Sequence, residues 1–452
     1  MKKTGNAGNV LEFQQNDGGG NHMNLITSTK GSATLRGCML VFALSVAPAL
    51  HAAGYTQTNL VASTDAYGAG IVDPSLINAW GIAIRPAGLG GHFWVESNGG
   101  GTSNQYIGDV GGTPLYSDDL RLVTVPGSPA GPAVSAGTPT GVVFNPGNDF
   151  AITQGSITAS AKFLFATDTG TISAWTERKN PDGSFDRPAF AKLMIDRSSA
   201  GAHYFGIAMG SGDNRIHVAN FGADAGIQSF DGNFAEVSKQ GAFANPFSAS
   251  ATPQPGDYAP FNIQTLTGPE GASLFVPYAK TQEDPSASGH ILGGEEASGP
   301  GLGRLAQFDA SGALMHTWDD RGLLNAPWGV AFAPDDFGIY SGKLLVGNFG
   351  DGTIVAFDPA THRAIDYLRD DQGNIISIDG LWGLQFGNGA SLGMANALYF
   401  AAGPHGETEG LFGRLQAAPV PEPESWALYA AGLALLGSIA RRRLGYPSSY
   451  PS

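Results

Sequence analysis

Cysteine is almost missing from this chain. Its 452 residues hold one, Cys38, inside a segment read below as a signal. A mature chain without thiols excludes disulfides, cysteine-ligated zinc, iron–sulfur clusters and cysteine nucleophiles. Charge is scarce too: Asp, Glu, Lys and Arg make up 14%, against about 25% in ordinary domains. Long amphipathic helices are excluded, because no extended window free of Gly and Pro shows a 3.6-residue apolar period. There is no H-E-x-x-H, no Walker A and no correctly spaced G-x-G-x-x-G. What the chain has in excess is 66 glycines and 28 prolines, about a fifth of the total. Disorder would need few apolar residues and dense charge. Here 42% are apolar and 10% aromatic, enough for a core. The glycines fall between short apolar runs, which predicts many short strands joined by tight turns.

The ends read as addresses. The apolar run Cys38–Ala47 follows Lys30 and Arg36 and precedes the small residues Ala49, Ala52 and Ala53. A basic segment, a short apolar run and a small-residue cleavage zone make a secretory signal, too short to span a membrane. Residues 1–53 are therefore expected to be an extension plus signal, cut near Ala52 or Ala53. Counted from Met23 the signal comes close to the usual 15–30 residues or so; Met1–His22 is expected to reflect start-codon choice. At the other end, Pro421-Glu422-Pro423 precedes an uncharged stretch over residues 425–440, followed by Arg441, Arg442 and Arg443. This tail resembles the PEP-CTERM sorting signal, with linker 417–424, hydrophobic sorting helix 425–440 and basic cluster and tail 441–452. The resemblance implies export through the Sec machinery and transient membrane anchoring by the C-terminal helix. It also implies processing by an exosortase and a final place in the envelope, surface or extracellular matrix of a Gram-negative bacterium.

Between these ends, residues 54–420 carry 17 basic and 35 acidic side chains, a net of −18. That balance argues against nucleic acid and anionic membranes as partners. It suits divalent cations and neutral sugars.

Six copies of one pattern occupy residues 54–416. They are Ala79-Trp80-Gly81-Ile82, Pro139-Thr140-Gly141-Val142, Tyr204-Phe205-Gly206-Ile207, Pro260-Phe261-Asn262-Ile263, Pro327-Trp328-Gly329-Val330 and Leu381-Trp382-Gly383-Leu384. The fourth, with Asn262 in place of Gly, departs most. Each is followed by a second strand-like run, such as Phe163–Thr167 or Leu344–Asn348. Asp231-Gly232 and Asp351-Gly352 are expected to supply hairpin turns through positive φ at Gly. Four short strands per copy, six copies and little helix predict an all-β, six-bladed β-propeller. The glycine behind each anchor is expected to let crowded inner strands approach. Too few strands follow the sixth anchor, so Thr56–Ala62 is expected to close the last blade from outside. Asp284–Gly303 is expected to be the longest loop. Asn59-Leu60-Val61, Asp73-Pro74, Asn78-Ala79-Trp80-Gly81 and Gly410-Leu411-Phe412-Gly413 resemble a family of exported bacterial propeller proteins of unknown function, with a more distant NHL-like character. That resemblance implies the fold and brings no chemistry.

Chemistry is sparse. Gly389-Ala390-Ser391-Leu392-Gly393 matches G-x-S-x-G, which needs a strand, a sharp turn and a helix; here it reads as a glycine-rich loop. Asp370-Asp371-Gln372-Gly373-Asn374 concentrates oxygen ligands but lacks calcium-loop spacing, and Asp and Asn also dominate ordinary turns. A propeller gathers one residue per blade on its axis, and the positions before the inner strands offer Asn78, Thr138, His203, Tyr258, Asn325 and Asp379. If His203 and Asp379 converge they could hold a metal or move protons; otherwise the set is a polar rim. No cofactor is expected, with a divalent cation, calcium or zinc, the one exception considered. The sequence thus reads as a non-catalytic binding or scaffold protein for exopolysaccharide or a surface protein. The alternative is a metal-dependent hydrolase or lyase in the axial funnel.

Overall fold

A computed structural model describes residues 54–130, 133–250, 253–282, 296–418 and 431–439. The signal, the Pro-Glu-Pro motif and the arginine cluster lie outside the described residues, as does most of the Asp284–Gly303 loop.

The six repeats form six antiparallel blades. Their inner strands are Ala79–Ala83, Pro139–Phe144, Tyr204–Met209, Gln264–Gly268, Pro327–Phe332 and Leu381–Phe386. Each packs beside the next, and the sixth returns to the first. Blades 1, 2 and 5 have four strands each. Blade 3 has three, its outer position taken by a single bridge between Phe230 and Glu236. In blade 4 the inner edge is split into Tyr258–Pro260 and Gln264–Gly268, which pair with one long strand, Gly271–Thr281. The split falls at Phe261-Asn262, the aberrant repeat.

Anchor glycines sit where neighbouring backbones touch. A Cβ on Gly383 would lie 2.4 Å from the Trp80 carbonyl oxygen, and one on Gly329 2.5 Å from that of Trp382. Asn262 uses its side chain instead, donating from Nδ2 to the Trp328 carbonyl at 2.8 Å. At the anchors of blades 1, 2, 3, 5 and 6 the ladder also slips register. A bulge of this kind re-aims a side chain, and here it turns the anchor toward the axis. Trp80, Phe205, Phe261, Trp328 and Trp382 meet there in one buried cluster. The axis is therefore plugged by aromatic rings.

Closure follows the expected route. Tyr55–Ala62 pairs antiparallel with Leu411–Ala417 on the outside of blade 6, and Ile71–Val72 adds a short parallel strand beyond it. Tyr55 also reaches blade 5: its hydroxyl donates to the Phe337 carbonyl at 2.9 Å and accepts from the Tyr340 N–H at 3.2 Å.

One hairpin differs from expectation. Gly352 has φ +72°, as the Asp-Gly reading requires, but in the other turn the left-handed residue is Phe234, at φ +64°, not Gly232. Asp231 Oδ1 accepts from the N–H groups of Asn233 and Ala235, which makes a longer loop. The Phe234 ring packs edge-on against Phe150, with centroids 5.3 Å apart, holding the unfavourable φ.

Residues 431–439 are helical, with Leu433, Leu435, Leu436 and Ile439 exposed. Among the described residues no helix is long and apolar enough to cross a membrane. The second strand of blade 1, Phe93–Ser97, is buried throughout and includes Glu96.

Candidate functional site

The aromatic plug leaves a blind funnel of about 320 Å³ at the N-terminal ends of the inner strands, lined by Asn78, Asn98, Asp168, His203 and Glu407 over Trp80, Phe349 and Trp382. Its floor is a stack. Trp382 lies between Trp80, 3.7 Å away and nearly parallel, and Phe349, 3.9 Å away and equally flat. Phe349 is the least buried of the three rings.

Two repeat positions build the walls. One is the residue before the inner strand, held by the end of the second strand: the His203 N–H donates to Asn220 Oδ1 at 2.9 Å, and the Asn325 N–H to Asn348 Oδ1 at 3.0 Å. The other immediately follows the second strand and supplies Asn98, Asp168, Phe221 and Phe349. A chain of hydrogen bonds joins them along the rim. Asn78 Nδ2 donates to Glu407 Oε1 at 3.1 Å and to Asn98 Oδ1 at 3.3 Å. Asn98 Nδ2 donates to Asp168 Oδ2 at 3.3 Å, and the Thr138 hydroxyl donates to Asp168 Oδ1. Asn78 Oδ1 also accepts from the Trp382 indole at 3.1 Å, so rim and floor are fixed together. The Trp80 indole N–H is buried with no hydrogen-bond partner among the described residues. Burial raises the Asp168 carboxyl above its usual range, and Thr138, Asn98 and His203 partly offset it.

Of the six residues singled out in the sequence, Asn78 and His203 line this funnel, and Thr138 stands behind it on Asp168. The other three face elsewhere. The Tyr258 ring lies under Arg304 and its hydroxyl donates to the Gly301 carbonyl. Asn325 is buried between Gly299 and Asp351. Asp379 is exposed and accepts from the His405 N–H. The funnel does not bring His203 and Asp379 together. Asn98, Asp168, Phe349 and Glu407 were not anticipated. For Asn98, Asp168 and Phe349 the signal was the likeness of Asn220-Phe221-Gly222 to Asn348-Phe349-Gly350, which marks the position after the second strand as a recurrent one; Glu407 has no such counterpart.

Over 332 residues the chain is 32% identical to uncharacterized protein R648 of Acanthamoeba polyphaga mimivirus, a match that covers 73% of each. The chain belongs to the R648 family. That protein is described only as uncharacterized, so membership assigns kinship and no activity. No family model matches the chain. A glucose dehydrogenase structure aligns at TM-score 0.43 and 12% identity, covering 79% of this chain and 98% of its own. The Dos1 propeller aligns at TM-score 0.36 and 10% identity, covering 77% and 70%.

In this R648 family member the remaining sequence motifs are turns. Residues 389–393 form a loop between two strands of blade 6, where Asn388 Oδ1 accepts from the N–H groups of Ala390, Ser391 and Leu392. Asp370 Oδ1 is likewise taken by the N–H groups of Gln372 and Asn374. A second cavity, of about 730 Å³, opens at the opposite ends of the inner strands and is lined mainly by apolar side chains such as Ile84, Phe144, Met209 and Phe386.

Proposed function

We propose that this chain is an exported, non-catalytic propeller that binds neutral or amino-sugar units of a polysaccharide in the axial funnel. The observation that carries the reading is the pairing of an aromatic floor with a rim of amides and carboxylates. Ring faces suit the apolar side of a sugar, and a few fixed polar groups orient its hydroxyls. Asp168 and Glu407 disfavour polyanions, as does the net charge of −18 over residues 54–420. The signal and the PEP-CTERM-like tail support export and exosortase processing, and with them access to matrix polysaccharide.

The test is retention on the producer's own exopolysaccharide fractions, followed by calorimetry with oligosaccharides released from them. Asn98→Ala and Phe349→Ala are expected to weaken binding at least tenfold while leaving the fold intact. Failure of every matrix fraction to retain the protein would refute the reading.

A second reading, a hydrolase or lyase in the same funnel, is favoured by Asp168, a half-buried carboxyl with a raised pKa near His203. Among the described residues, no trio of His, Asp and Glu ligand atoms gathers in the funnel to hold a metal. Turnover of a matrix polysaccharide that disappears in Asp168→Asn would favour this reading over simple binding.

A further inference from the structure

Away from the funnel, at the seam between blades 4 and 5, three side chains from distant segments converge. Glu270 lies in the hairpin between Gln264–Gly268 and Gly271–Thr281. His316 lies on the outer strand of blade 4, Leu314–Thr317, and His362 in the turn between Ile354–Asp358 and Arg363–Tyr367 of blade 5. Glu270 Oε2 is 3.2 Å from His316 Nε2, and Glu270 Oε1 is 3.8 Å from His362 Nε2. One ligand atom from each lies within 4.8 Å of the others. The two imidazoles stack, with centroids 3.8 Å apart and planes 22° apart.

Zinc holds nitrogen and oxygen ligands at about 2.0–2.2 Å, so tetrahedral ligand atoms stand roughly 3.3–3.5 Å apart. The separations from the two Glu270 oxygens, 3.2 Å to His316 and 3.8 Å to His362, lie on either side of that range. Simple ion pairing accounts for the cluster less well. His362 Nε2 is buried and makes no hydrogen bond among the described residues, and two stacked imidazolium rings would repel each other. Supporting contacts hold the groups in place. Gln307 Nε2 donates to Glu270 Oε2 at 3.3 Å, and Gln307 Oε1 accepts from the Trp318 indole at 3.3 Å. Trp318 in turn packs edge-on against His362, with centroids 4.9 Å apart. The Asp319 N–H donates to the His362 carbonyl at 2.8 Å, fixing the turn that carries the ring. Such outer contacts are what orient metal ligands.

We propose that Glu270, His316 and His362 form a binding site for a divalent transition ion of the zinc class, clipping blade 4 to blade 5. Two imidazoles and one carboxylate select a borderline metal over calcium or magnesium, and the fourth position is left to water. Because the ligands come from three separated segments, they assemble only in the folded chain, so the metal favours folding.

The full chain, prepared without an affinity tag and stripped with a chelator, would be titrated with Zn(II) by calorimetry and with Co(II) by visible absorption. One zinc per chain is expected, with a rise in thermal midpoint. His316→Ala and His362→Ala are expected to lower the zinc affinity at least tenfold each and to abolish the tetrahedral cobalt bands. His405→Ala, at an exposed histidine elsewhere, is expected to leave both unchanged. Glu270→Gln, a conservative change on a partly exposed side chain, provides a third variant should either alanine variant fail to fold. Absence of stoichiometric zinc binding, or equal affinity in Glu270→Gln and the parent, would overturn the proposal.

Discussion

Replacing Glu96 with Gln should change how the stability of this protein depends on pH. Glu96 is fully buried in the second strand of blade 1. Neither of its carboxyl oxygens has a hydrogen-bond partner among the described residues. Burial pushes its pKa well above the ordinary 4.5. The unfolded chain releases this proton near pH 4.5, whereas the folded chain keeps it. Below that pH the group adds no pH dependence. Above it, unfolding releases a proton, and stability falls as pH rises until the folded carboxyl itself ionises. One proton corresponds to a slope of about 1.4 kcal/mol per pH unit. Gln does not titrate, so the variant lacks this term. The stability difference, Glu96→Gln minus parent, should therefore grow by about 1.4 kcal/mol per pH unit from roughly pH 5.5 upward. Any constant offset from burying the amide does not affect the slope. Urea unfolding at half-unit pH steps, from about 5 to 8, measures the difference directly, and other titrating groups cancel. A difference that stays flat over that range would refute the reasoning.

Other perturbations probe the ring itself. Gly383→Ala would place a Cβ 2.4 Å from the Trp80 carbonyl oxygen and force neighbouring blades apart. It is expected to cost about 1–3 kcal/mol or more in thermal unfolding. Gly70→Ala, whose Cβ would meet nothing nearer than 3.7 Å, should stay within roughly 0.5 kcal/mol of the parent. Tyr55→Phe removes the two hydrogen bonds that the Tyr55 hydroxyl makes to blade 5 and leaves the one from its backbone N–H to the Arg369 carbonyl. It leaves a buried carbonyl and a buried N–H unpaired, so a loss of about 1–3 kcal/mol is expected, measured by denaturant midpoint at unchanged slope.

The fold was legible because its demands repeat. An aromatic residue followed by Gly recurs in four of the six inner-strand anchors, and with the variants Thr140-Gly141 and Phe261-Asn262 the six copies make a pattern no single strand could. Asn262 shows the same logic by exception, since its side chain replaces a backbone contact and the strand breaks around it. The funnel was only half legible. Asn78 and His203 could be placed because they precede inner strands, which fixes their end of the blade. Tyr258, Asn325 and Asp379 occupy comparable places in sequence, but nearby loops claim their side chains. Glu407 reaches the rim from a tight turn with its own φ at +65°, a backbone state that no spacing rule announces. The Glu270, His316 and His362 group is invisible in one dimension. Its members touch only because the faces of blade 4 and blade 5 pack together.

The closing strand has a further consequence, in the order of events. Tyr55–Ala62 is the first part of the propeller to be made, and its ladder partner, Leu411–Ala417, is the last. Contacts so distant along the chain carry a large loop-closure cost and form late. During synthesis, blades 1 to 5 can take shape while the ring stays open. Only the arrival of the final strand lets the two ends meet. A circular permutant that joins Ala417 to Tyr55 through a short linker and opens the chain between two other blades would move that last step elsewhere without altering any blade.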